Sequence, residues 1–118
     1  MQPSTPAQQR VDILIRRADR DMQVAELIVR SSPHLYEDAG FHCQQAVEKY
    51  LKAVLITAGL PAPFTHSLVV LMISLCQAGI ITFMQDETDE ATVLTDFAVG
   101  LRYELTTPPA SPRPTCWR

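Results

Sequence analysis

An excess of positive charge, paired cysteines and long apolar runs are all missing from this chain, and each absence removes a class of function. Ten lysines and arginines stand against thirteen aspartates and glutamates, a formal charge of -3. The balance is even over residues 1–52 and turns acidic over 53–118. A protein that grips a nucleic-acid duplex by its phosphates carries a basic stripe, so duplex DNA is excluded as a partner. The three cysteines, Cys43, Cys76 and Cys116, are odd in number and none is spaced as Cys-x-x-Cys. Neither a disulfide framework nor a zinc site is indicated, and a reducing cytoplasm is the expected location. The opening MQPSTPAQQR has no apolar h-region, and charge or proline interrupts every apolar run well before 18 residues, which argues against secretion and membrane spanning. With 118 residues, 47% of them apolar, the chain is long enough for one domain with a core and too short for two.

Proline and glycine are clustered, and the segments between the clusters have helical periodicity. Residues 6–31 place Val11, Leu14, Ile15, Ala18, Met22, Ala25, Leu27 or Ile28, and Val29 on a broad apolar stripe with arginines mostly opposite, ending near Ser31-Ser32-Pro33. After a linker holding His34, Glu37 and Asp38 suit the first turn of a second helix that runs to Ala58 and stops at Gly59. Thr65 or Ser67 is placed to cap a third helix over 66–78, closed by Gly79. Asp86, Glu87, Asp89 and Glu90 open a fourth, with Val93, Leu94, Phe97, Ala98 and Leu101 apolar. The last twelve residues, TPPASPRPTCWR, hold four prolines and are expected to be disordered. The expectation is an all-α protein, an antiparallel up-down four-helix bundle over residues 1–105 followed by a proline-rich tail over 106–118.

The stretch FHCQQAVEKYLKA, residues 41–53, has the most to say about function. At 100° per residue Cys43, Val47, Tyr50, Leu51, Val54 and Ala58 gather on one side as core, with His42, Gln45, Lys49 and Lys52 on the other and Gln44 and Glu48 on the border. Glu48 precedes Lys52 by four, an order that stabilises a solvated helix by roughly 0.2–0.5 kcal/mol. Phe41 and Ile56 lie on or beside the polar face, where a monomer would expose them. That mixed face, with Phe41, Gln44, Gln45, Glu48 and Ile56, is therefore expected to meet a partner or a second copy. No histidine pair has metal-ligand spacing, and the acids of 86–90 complement a helix dipole, so neither a metal nor a cofactor is expected.

The run FHCQQAVEKYLKAVLITAGLPAPFTHSL, with the helix before it and LTDFAVGLRY after it, resembles the prokaryotic HEPN domain family over roughly residues 8–103. The resemblance implies a helical bundle that dimerises, a small nucleotidyltransferase encoded next door as cognate partner or antitoxin, and a role in nucleotide or RNA binding. Many members resemble toxin ribonucleases that cut RNA at the dimer interface, using an Arg followed four to six residues later by a His. Arg102 lies in the expected neighbourhood, but Tyr103-Glu-Leu-Thr-Thr follows and no histidine occurs after His66. RNA cleavage without metal needs a group that exchanges protons near neutral pH, so Arg102 alone is a weak catalytic candidate. The chain also departs from the family where a fifth helix would follow. The leading reading is a dimeric interaction module paired with a nucleotidyltransferase or binding nucleotide or RNA, with Lys49, Lys52, His66, Arg102 and Tyr103 as contacts. The alternatives are a ribonuclease with a degenerate site or an inactive truncated remnant.

Overall fold

The computed structural model describes the backbone of residues 3–106 and the side chains of residues 3–96. All regular structure within these bounds is helical, and the chain forms a helical bundle. The proline-rich segment that was expected to be disordered lies outside the described residues.

Helix α1 spans Pro6–Ser31. Its start is a reciprocal cap: Gln8 N donates to Thr5 Oγ1 at 3.1 Å and Thr5 N donates to Gln8 Oε1 at 2.9 Å, with Pro6 at the first helical position. A 3-10 turn over Pro33–Leu35 reverses the chain into α2, Tyr36–Thr57. Helix α3 spans Leu68–Gln77 and α4 spans Gln85–Thr106. Ser67 caps α3, its Oγ accepting from Val70 N, whereas Thr65 turns back to accept from Ser67 N. The third helix is thus shorter at both ends than 66–78. At the start of α4, Met84 N donates to Glu87 Oε1 at 2.9 Å, which gives one of the four acids a local role beyond the dipole.

Gly59 and Gly79 end α2 and α3 in the same way. Each has a left-handed backbone, φ 78° and 73°, and lets the next amide reach back: Leu60 N to Leu55 O at 2.9 Å, Ile80 N to Leu75 O at 3.1 Å. Only a residue without Cβ adopts that conformation without strain.

Helix α2 is the centre of the fold. Among the described residues α1 packs on α2 and the 33–35 turn and reaches neither α3 nor α4, while α3 and α4 pack on α2 and on each other. The stripe of α2 that meets α1 is marked by His42, Lys49 and Tyr50, which bond to Asp21 and Asp19. Ala39, Ala46 and Ala53 recur at seven-residue steps along it and are buried, as are Ala18 and Ala25 on α1. Small residues at these positions bring the two backbones close. On the far side of α2, Leu55 packs with Leu71 and Leu75, and Val47 and Leu51 pack with Leu68, Met72 and Ala91.

Several periodicity assignments change accordingly. Ile15 and Val29, expected on the buried stripe of α1, are exposed, and of the alternatives Leu27 and Ile28 it is Ile28 that is partly buried, because one covering helix shields only a narrow band. Ala58 is exposed, while Ala46, Ala53, Gln44 and Glu48 are buried, because α2 is covered on two opposite sides rather than one. Ala46→Leu forces a larger side chain into the α1–α2 seam, where Ala46 is 0% exposed. It is expected to cost about 1–3 kcal/mol in urea unfolding, and a variant as stable as the parent would refute close packing at this seam.

Candidate functional site

Two polar clusters are built on α2, one on each covered side. The first joins it to α1. Asp21 of α1 accepts from His42 Nδ1 at 3.0 Å and from the Lys49 ammonium. Beside it, the Tyr50 hydroxyl donates to Asp19. That bond to a carboxylate raises the phenol above its ordinary value, with burial and Coulomb repulsion from Asp19 acting in the same direction. Phe41 stands edge-on to His42, ring centroids 5.5 Å apart. Burial likewise pushes the neighbouring Cys43 thiol up, so it is not an activated nucleophile.

The second cluster centres on Glu48. Its side chain is 7% exposed and receives three donors: His66 Nδ1 at 2.9 Å and Gln44 Nε2 at 3.3 Å on Oε1, and Lys52 Nζ at 3.4 Å on Oε2. The Gln44 amide, itself fully buried, also donates to the carbonyl of His66 at 2.9 Å, and its Oε1 accepts from Gln45 Nε2 at 2.7 Å. One helical turn of α2 therefore holds the Gly59–Ser67 loop by both the side chain and the backbone of His66. The loop is tied from the other side too, since Leu68 N donates to Thr95 Oγ1 of α4 at 3.4 Å. A buried carboxylate is tolerated because its acceptor sites are filled.

The fold brings some of the sequence-derived candidates together and separates others. Lys52, His66, Gln44, Gln45 and Glu48 form one cluster. Lys49 belongs to the other, on the far side of the helix, already paired with Asp21. The solvated Glu48–Lys52 pair of the sequence reading is instead part of a buried network. Gln44 and Glu48, expected to face a partner, are enclosed by their own chain; Phe41, Gln45 and Ile56 are half-buried. Arg102 and Tyr103 lie on the last two turns of α4, and their side chains fall outside the described residues. Asp19 and Asp21 were missed, because their partners lie 21 to 31 residues away and no helical spacing links them. Among the described residues no three histidine, cysteine or acidic side chains gather as metal ligands would. No described helix is long and apolar enough to cross a membrane.

The cluster thus presents a half-exposed imidazole fixed by a buried carboxylate, beside a partly accessible ammonium. Such a set binds anions or exchanges protons.

Over 48 residues the chain is 42% identical to Putative toxin MJ1304 of Methanocaldococcus jannaschii. The match takes in 41% of this chain and 30% of that protein, so the chain spans under a third of the relative. No solved structure matches. The model of the HEPN domain matches residues 11–113, most of the sequence. The chain belongs to the HEPN domain family.

Proposed function

We propose that this chain is the HEPN component of a toxin-type pair in the cytoplasm, a dimeric module that engages a nucleotidyltransferase encoded beside it and binds nucleotide or RNA. The observation that carries the reading is family membership together with the likeness to an archaeal protein named as a toxin. The surface supports an interaction role. From Ser67 to Gln85 there is no charged residue, and Val70, Ile73, Ile80, Ile81 and Met84 of this stretch are exposed. Apolar side chains gathered in an uncharged segment suit a protein–protein contact. On α2, half-buried Phe41 and Ile56 extend the apolar character.

The candidate ligand contacts differ in how far their own chain engages them. Lys49 is paired to Asp21 and Lys52 to Glu48, with 21% and 16% of their side chains exposed, so half-exposed His66 is the most accessible of the described candidates, and Arg102 and Tyr103 are candidates on α4. Co-expression with the adjacent reading frame and affinity capture of this chain is expected to recover a nucleotidyltransferase in stoichiometric amount. In light scattering the isolated chain is expected to have twice its monomer mass, and Phe41→Asp to reduce it. A monomeric parent that captures nothing overturns the reading.

A further inference from the structure

Among residues 3–96 the lysines and arginines are Arg10, Arg16, Arg17, Arg20 and Arg30, all on α1, and Lys49 and Lys52, which Asp21 and Glu48 already hold. The arginines are exposed, and among the described residues none of them has an ion-pair or hydrogen-bond partner. On the face of α1 turned away from Ala18 and Ala25, Ile13, Arg16, Arg20 and Leu27 recur at helical steps and form one stripe, with Asp12, Asp19 and Glu26 along its flank. Ile13 is 46% and Leu27 63% exposed, since α2 covers only the opposite side of α1.

The start of α4 carries the complementary pattern. Asp86, Asp89, Glu90 and Val93 fall at i, i+3, i+4 and i+7 on the face opposite buried Ala91, and all four are exposed. Asp89 and Glu90 line a cleft with Val93 and Leu94. The two stripes match in length as well as in sign: seven residues separate Ile13 from Arg20 and seven separate Val93 from Asp86, about 10 Å along each axis. Helices α1 and α4 pack on opposite sides of α2 and do not touch, so the match cannot be made within one chain.

We propose that α1 of one copy docks antiparallel on the start of α4 of a second copy, with Arg16 and Arg20 against Glu90, Asp89 and Asp86, and Ile13 in the cleft beside Val93. Leu27 then lies towards exposed Met84 at the other end. A contact between two different faces leaves each copy with one face of each kind still free, so copies add head to tail in a row or close as a ring. The contact does not use Phe41, so it goes beyond the dimer of the reading above and is tested separately from it. Exposed ion pairs are weak and screened by salt, which makes the assembly reversible and governed by ionic strength.

Sedimentation velocity of the full chain tests the proposal. The weight-average mass is expected to rise with protein concentration and to be at least about twofold higher in about 0.01 M than in about 1 M salt, as the screening length shrinks from about 30 Å to about 3 Å. Arg16→Glu with Arg20→Glu, and separately Asp86→Lys with Glu90→Lys, are expected to hold the mass at its high-salt value with the circular dichroism spectrum unchanged, because all four side chains are exposed. Mixing the two variants in equal amounts is expected to restore growth, since each reversed face then meets its opposite on the other variant. A parent whose mass is the same at every salt concentration overturns the inference, and so do variants that grow as the parent does or a mixture of folded variants that stays small. A parent that keeps one mass but binds phosphatidylglycerol vesicles through Arg16 and Arg20 overturns the second copy as the occupant. In each of these cases a dimer that persists at high salt leaves the reading above standing.

Discussion

Glu48→Ala is expected to lower the unfolding free energy by about 3 kcal/mol, the largest loss from any single polar side chain described. Deleting the carboxylate leaves the Gln44 amide, which is fully buried, without one of its two acceptors and strands the Lys52 ammonium in a position only 16% exposed. Breaking a buried pair from one side costs about 3–5 kcal/mol, because the remaining partner keeps its desolvation penalty. Half-exposed His66 regains water, which holds the figure at the lower end. The Gly59–Ser67 loop also loses its side-chain tie to α2, so the effect reaches the capped start of α3. For a domain of this size the loss corresponds to a midpoint about 15 °C lower in thermal circular dichroism. Glu48→Gln retains an acceptor for His66 and is expected to lose less than half as much. A Glu48→Ala variant within about 1 kcal/mol of the parent would show that the network is ornamental to stability.

A loss of similar size is expected from Leu71→Ala, for a different reason. Leu71 is 0% exposed and packs with Leu55 and Leu75, with Leu51, Val54, Leu60 and Phe83 around them. Truncation removes buried methyl groups and leaves a cavity, and such changes cost about 2–5 kcal/mol. Because α3 is only ten residues long and has no charged residue, its stability comes from this packing and not from surface pairs. The upper half of the range is therefore expected in urea unfolding. Ile73→Ala, on the same helix with 48% exposure, is the control and is expected to cost under about 1 kcal/mol. Equal losses at the two positions would mean that the outer face of α3 is also covered in solution, which is informative about assembly.

The two polar clusters explain why α2 tolerates so much polar chemistry inside a bundle. On the α1 side, alanines at 39, 46 and 53 bring the backbones together, and His42, Lys49 and Tyr50 between them reach aspartates on the neighbour. On the other side, leucines fill the space towards α3 and Glu48 gathers the donors. Both sides are only partly open to water: His42 keeps 30% and Lys49 21% of its side chain exposed, and Lys52 16%. The Gln-Gln and Glu-Lys sequence that looks like a solvated face is distributed between intramolecular contacts.

Local physics made the four helices legible from the residues. Thr5-Pro6, Ser67, Gly59 and Gly79 set ends by hydrogen bonds and backbone conformations that span four or five residues, so the sequence alone determined where helices start and stop to within about two positions. Family membership was legible too, from the unbroken run of residues 41–68. The assignment of faces was not. Hydrophobic periodicity assumes one buried side, whereas α2 is buried on two and α1 on a narrow strip, and that depends on which helices pack against which. Glu48 became a buried hub and His66 gained an oriented ring only when the loop 18 residues further on folded back over α2, and Lys49 met Asp21 only when α1 packed against α2. A charge four residues away can be read from spacing; a partner 18 to 31 residues away exists only once the chain has closed on itself.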